Sequence, residues 1–224
     1  MKEFFKVTNL DKVLEYTSNF PVVDTEEVNL IDMTGRILAD NIVSDIDLPA
    51  FPRSTMDGYA VKGSSTFGAT EGNPAYLTVK DSVAMGESPD FSIGTGEAAK
   101  ISTGGMLPDG CDSIVMIEHT EALDDTTIEI YKSVAPGQHV VEAGEDIKFK
   151  EVVLARGQEL RPQETGLLAA LGKNAARVYR KPLIGIISTG DEVVPIGENP
   201  GPGQIRDINT YTLSGQVQEA GAYL

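Results

Sequence analysis

The sequence predicts an α+β protein of more than one domain, and three patterns carry that prediction. From Arg36 to about Lys132, short strand-like runs follow one another, separated by turn clusters such as EGNPA, ESPD, GTGE and LPDG. The stretch RPQETGLLAALG then reads as a helix. Beyond it, PLIGIISTGDEVV and RDINTYTLSGQVQEAG set an apolar run, a loop and a helix in the order that opens an α/β sheet.

The first helix begins near Thr8 or Asn9, either of which can cap it, and Leu10, Val13 and Leu14 share one face. A second short helix is expected from about Glu26 to Met33, closed by Gly35 as a left-handed cap. The strand-like runs are ILADNIV, YAVKG, AYLTVKDSV, AAKIS, CDSIVMIE and TTIEIYK, and together they form a β-rich region of about 85 residues. PGQHVVEAGEDI and the strand-like VVLARGQEL come next. In the helix that follows, Pro162 suits the first position, Leu167, Leu168 and Leu171 line one face, and Gly172 stops it. PLIGIISTGDEVV has the makeup of a buried parallel strand, and the last helix opens on Asp and Asn capping residues. One βα unit cannot bury both faces of a sheet, so the C-terminus is expected to fall inside a domain.

With 224 residues, 41% of them hydrophobic and 23% charged, the composition is that of a soluble protein of one large or two modest domains. No apolar run approaches the roughly 20 residues of a membrane helix. The N-terminal stretch MKEFFKVTNLDKVLEY carries acidic residues and no small-residue cleavage site, so no secretory signal is expected. The single Cys111 excludes an intramolecular disulfide framework and fits a reducing cytoplasm. A net charge of −16, from 18 basic and 34 acidic residues, disfavours nucleic acid as a partner. A protein this acidic has to bring a cation to any site that handles an anion.

Chemistry concentrates in loops. In LPAFPRSTMDGYAV two prolines fix the backbone, and the Asp57-Gly58 turn delivers the chain into an apolar strand starting at Tyr59. The second loop runs from Ile101 through Ser102, Thr103, Gly104 and Gly105 to Gly110; adjacent glycines there let backbone amides approach a ligand. The third, Gly144 to Ile147, bears Glu145 and Asp146. The fourth, Ser188 to Glu192, is followed by Asp207 at a helix start. Each loop taken alone reads equally well as a solvated acidic turn. Ser188 to Glu192 and Asp207 stand out, because they follow the end of an expected parallel strand and precede a helix N-terminus, where open α/β sheets bind phosphorylated ligands. No lysine-bearing P-loop and no GxGxxG motif accompanies them. His119 and His139 have no Cys or His at metal-ligand spacing. Cys111 reads as buried filler, and Met56 and Tyr59 as packing residues.

Taken together, LPAFPRSTMDGYAV, ISTGGMLPDGCDSIVMIE, AGEDI, RPQETGLLAALG and STGDEVV with GPGQIRD closely resemble the MoeA-type molybdopterin molybdenumtransferases, the family of the gephyrin enzymatic domain. The resemblance runs from about Val28 to the last residue, in the family's order. It implies an enzyme that inserts molybdate into adenylylated molybdopterin and releases AMP with help from Mg²⁺. By position, Asp57, Thr103, Asp146, Glu192 and Asp207 correspond to functional residues. Gly104, Gly105, Ser188, Thr189 and Gly190 line the cofactor-binding loops, and Glu192 with Asp207 hold the metal on one rim. Pterin pyrophosphate and molybdate are anions that bare carboxylates repel, so the cation is what reconciles them.

The resemblance also implies an architecture and partners. Residues 1–45 and 142–178 form a discontinuous small α/β base, its first helix able to pack on the α/β part that follows. Residues 46–141 form an inserted β-rich lobe, and 179–224 the truncated start of a three-layer α/β pterin-binding domain. A cytoplasmic homodimer with a shared site and a possible contact with molybdopterin adenylyltransferase are expected; nucleic acid and membrane are not. Departures exist. Val141, Glu142 and Ala143 stand where arginines usually precede the GEDI turn, Gly105 where alanine is common, and Ile208 where a small polar residue is usual. The family's glycine- and serine-rich loop and molybdate-holding lysines are not in this sequence, so the chain by itself is expected to be inactive. A scaffold with reduced catalysis remains the alternative. A free-standing pterin-binding protein of the adenylyltransferase type fails on domain order.

Overall fold

The computed structural model describes residues 7–224, and the first six residues of the expected base lie outside them. The chain divides into two compact units, one of residues Val43–Val153 and the other of the described residues up to Ile42 with Leu154–Leu224.

In the latter unit α1 spans Leu10–Glu15, and the Asn9 side chain accepts from the Asp11 amide at 3.1 Å as its cap. Where the sequence suggests a helix over Glu26–Met33, the chain instead forms a strand, Thr25–Asn29, and a single 3₁₀ turn, Leu30–Asp32. Tertiary pairing overrides propensity here. The strand runs antiparallel to Ala175–Tyr179, and Glu26 forms an ion pair with the buried Arg36 guanidinium, which also donates to the Tyr179 carbonyl at 2.9 Å. A helix this short has little intrinsic stability to set against such a ladder. Gly35 does turn left-handed, at φ 75°. The ILADNIV run is likewise less regular than expected: Ile37 and Leu38 make isolated bridges, and only Ile42–Val43 is a strand.

Helix α2, Pro162–Ala170, begins at its proline and ends at Gly172, φ 68°, with Leu168 and Leu171 buried. Its first turn is closed by Glu164. That carboxylate accepts from the Arg161 amide at 2.9 Å and from the Arg161 guanidinium at 2.5–3.2 Å. The guanidinium bonds hold the Glu164 pKa down, from an ordinary 4.5 to about 2. A folded-state pKa below the unfolded value gives stability that is full above the unfolded value and is lost as pH falls through the folded one. Glu164→Gln should therefore lie below wild type in melting temperature at neutral pH, with the gap closing between pH 4.5 and about 2. A gap independent of pH would mean that only the neutral hydrogen bonds count.

The expected buried parallel strand is not formed over residues 182–192 of PLIGIISTGDEVV. Leu183 makes one parallel bridge to Tyr223, with Ile184 and Tyr223 amides donating across it at 2.8 Å, and the chain then runs irregularly through Gly190. Leu183 and Ile187 are 77% and 88% exposed. A strand exists only where neighbours complete its ladder, and among the described residues Tyr223 is the partner this run finds. After it, Val193–Val194 pairs in parallel with Ile205–Arg206, and α3 spans Asn209–Glu219.

The Val43–Val153 unit is built on a six-stranded mixed sheet. Its strands are β1 (Gly58–Val61), β2 (Ala75–Ser82), β3 (Glu97–Ile101), β4 (Ser113–Met116), β5 (Thr120–Ala122) and β6 (Thr127–Ile130). Their spatial order is β4-β1-β3-β2-β6-β5, with β2 and β3 parallel and every other pair antiparallel. Alternation along each strand sends side chains to two cores. Tyr59, Val61, Val115, Leu77, Ile128 and Ile130 pack on one side; Ala60, Ile114, Ile101, Val83 and Leu107 on the other. Burial on both faces explains the apolar runs YAV and IVM within these strands. Tyr59 is core as its motif suggests, whereas Met56 is exposed: it precedes the strand and has no sheet face to pack on. Cys111 is half-buried against the second core, and burial pushes its thiol up to about 12, which keeps it protonated.

Candidate functional site

The first two loops meet through backbone pairing. Ser54 is 2% exposed; its amide donates to Gly105 O at 3.0 Å, and its carbonyl accepts from the Gly104 amide at 2.8 Å. The Ser54 hydroxyl donates to Met56 O at 2.5 Å and closes the turn that leads to Asp57. Asp57 Oδ1 then accepts both the Thr103 amide, at 2.7 Å, and the Thr103 hydroxyl, at 3.1 Å. Those bonds, the amide first, hold the exposed carboxyl below the usual carboxylate range, so it is ionised throughout the neutral region. Both fall on one oxygen, which leaves Oδ2 for a ligand. Gly105 is boxed in: a Cβ there would lie 2.8 Å from Ile101 Cγ1 and 2.9 Å from Ser102 O.

The third loop is tied down separately. The Gly144 amide donates to Pro49 O at 2.9 Å, and the Asp146 and Ile147 amides to Leu48 O at 3.0 and 3.1 Å. Val140–Val141 pairs with Arg53–Ser54, and the Thr55 amide donates to His139 O at 3.0 Å. One stretch, Leu48–Asp57, thus anchors all three loops, and Asp146 is exposed on the turn it anchors.

In the other unit, Ser188, Gly190, Val194, Asp207, Thr210 and Tyr211 contribute to an open cleft of ≈ 360 Å³. Asp207 caps α3 in practice: Oδ1 accepts the Thr210 amide at 3.1 Å and Oδ2 the Thr210 hydroxyl at 2.7 Å. The Thr210 hydroxyl, then its amide, hold Asp207 below the usual carboxylate range, with a smaller contribution from the Ser188 hydroxyl. Glu192 is placed differently from the single rim expected for the pair. It precedes Val193–Val194, whereas Asp207 follows Ile205–Arg206, so the parallel ladder sets them at opposite ends. Glu192 is exposed and its carboxylate lies close to Gly190, where a Cβ would come 2.8 Å from Oε2; Thr189 also stays outside the cleft lining. Among the described residues no group of three or more His, Cys, Asp or Glu is arranged to hold a metal ion. Arg206 is committed to the adjoining turn, donating to Ile196 O, Glu198 O and Asn199 Oδ1.

Sequence reasoning missed Thr210, which carries the Asp207 geometry. The signal for it is the Asp-x-x-Thr spacing at a helix start.

Residues 8–172 match the family described as the MoeA N-terminal region (domain I and II). The molybdopterin molybdenumtransferase of Bacillus subtilis is 36% identical over 202 residues, covering 89% of this chain and 47% of its own length. The protein of the same name from Haemophilus influenzae is 37% identical, over 87% of this chain and 46% of its own. A crystal structure of a molybdopterin biosynthesis MoeA protein from Pyrococcus horikoshii superposes with a TM-score of 0.81 at 43% identity, covering 97% of this chain and 56% of that one. The chain therefore spans about half the length of the curated relatives it matches. The fold of this chain is thus that of a MoeA protein over most of its length. The chain belongs to the MoeA family.

Proposed function

We propose that the protein carrying this chain works in molybdenum cofactor biosynthesis, inserting molybdate into adenylylated molybdopterin with release of AMP. The observation that carries the reading is the pair of prearranged carboxylates, Asp57 held by Thr103 and Asp207 held by Thr210, on loops of a chain that belongs to the MoeA family. Both are ionised and both keep acceptor capacity. Asp207 shares its cleft with Ser188 and Gly190, a setting suited to a phosphate at a helix start.

Mg²⁺ commonly binds through one or two carboxylates together with substrate phosphates, so Asp207 would fit as its protein ligand in this cleft, whereas Glu192 lies outside the cleft lining. When bound, the ion neutralises phosphate charge and polarises the bond to be broken. Asp207 would be the group that holds the ion, and the Thr210 hydroxyl keeps that carboxylate from turning away. In the homodimer proposed next, Asp57, Thr103, Gly104, Gly105 and Asp146 form the wall of the site that one subunit supplies. We further propose a cytoplasmic homodimer in which that wall comes from one subunit and the Asp207 cleft from its partner; the two clusters lying in separate compact units is consistent with this. In this reading residues 46–141 are an inserted lobe, 1–45 with 142–178 the base, and 179–224 the start of the pterin-binding α/β domain. A molybdopterin adenylyltransferase is the natural donor of the substrate.

Asp207→Ala tests the cleft. Turnover at saturating molybdate should fall and its Mg²⁺ dependence flatten, while the lost cap costs only about 1 kcal/mol of stability. Full activity in that variant would reduce Asp207 to a helix cap.

A further inference from the structure

Met85 has no part in any motif, yet it stands beside the best-defined of them. It lies in the turn between β2 and β3 and is 64% exposed. Its terminal methyl is 3.9 Å from where a side chain on Gly104 would begin. Gly104 follows the residue that holds Asp57, and its left-handed φ of 84° keeps that position free of a side chain. The turn is not a loose flap. Val83 at one end is buried and its amide donates to Lys100 O at 2.8 Å; Phe91 at the other end packs on the same core. Glu87 N donates to Ala84 O at 3.2 Å and Gly86 turns left-handed at φ 78°, which closes the turn around Met85. The result is an unbranched thioether held in water beside the bare Gly104 backbone. An exposed apolar side chain anchored in that position gains its burial only when something flat or apolar covers it.

We propose that Met85 is a substrate-binding residue that packs against a flat heteroaromatic ring. The inference rests on the proposed function for the identity of the molecule that carries the ring. Adenylylated molybdopterin offers two such rings, the pterin and the adenine, and thioether–ring contacts suit either.

The test compares wild type, Met85→Ala and Met85→Leu in the intact protein carrying this chain. AMP release is followed at varied adenylylated molybdopterin, and binding of molybdopterin alone and of AMP alone is measured by titration. Met85→Ala should raise KM about two- to tenfold with kcat nearly unchanged, and Met85→Leu should restore most of the loss. The single ligand whose Kd weakens by a similar factor identifies the ring. An unchanged KM in Met85→Ala, with wild type active, overturns the inference and leaves the proposed function standing. If wild type releases no AMP, the proposed function fails, and the binding arms decide Met85. A weaker Kd for either ligand in Met85→Ala then supports the contact. An unchanged Kd, or no binding of either ligand by wild type, overturns it.

Discussion

Asp57→Asn is expected to lower turnover about 100-fold while leaving the melting temperature close to that of wild type. Asparagine presents a carbonyl oxygen where Oδ1 stands, so the Thr103 amide and hydroxyl, now at 2.7 and 3.1 Å, keep an acceptor. What disappears is the charge, which the Thr103 bonds hold in place. The variant thus separates loop architecture from chemistry. Activity within about threefold of wild type would make Asp57 a staple between the two loops and nothing more. The same variant probes the proposed dimer. Asp57→Asn and Asp207→Ala subunits, inactive apart, should regain about a quarter of wild-type activity when mixed and allowed to exchange, because half the dimers then carry one intact shared site. No recovery on exchange would put both residues in one subunit's site.

Gly58→Ala should have the largest effect on stability. The added Cβ would fall 1.9 Å from Val115 O and 2.9 Å from its carbonyl carbon. Both belong to backbone in the sheet, with Gly58 opposite Met116 and Ile101 in the two ladders that flank β1. No rotamer relieves a contact with backbone, so β1 has to leave one ladder. A cost of about 3 kcal/mol or more follows, enough to unfold the lobe of a marginal protein. Gly72→Ala is the control: nothing lies within 4 Å of its Cβ, and it should change stability by less than about 0.5 kcal/mol. Denaturant melts of the two variants that coincide would refute the steric account.

Features set by neighbours in sequence were legible before the structure. The proline and glycine that bound α2, the Asn9 cap and the turn-separated strands of the sheet all depend on residues a few positions apart. Features set by distant partners were not. Glu26–Met33 has helical spacing, but its structure is decided by Arg36 and by Ala175–Tyr179. The apolar run after Lys181 has strand composition, but composition does not supply the strands that would flank it. The same division holds at the candidate site. An Asp57-Gly58 turn could be read directly, but nothing local announces that Thr103, 46 residues away, holds that carboxylate. Met85 illustrates the limit further, since only the folded sheet brings its turn over Gly104.

The most direct measurement is AMP release by the intact protein supplied with adenylylated molybdopterin, molybdate and Mg²⁺. The account predicts AMP appearing in step with molybdenum incorporated into the pterin, abolished by omitting Mg²⁺ and strongly reduced in Asp57→Asn and Asp207→Ala. Absence of AMP release by wild type, or release at the wild-type rate by both variants, would contradict it.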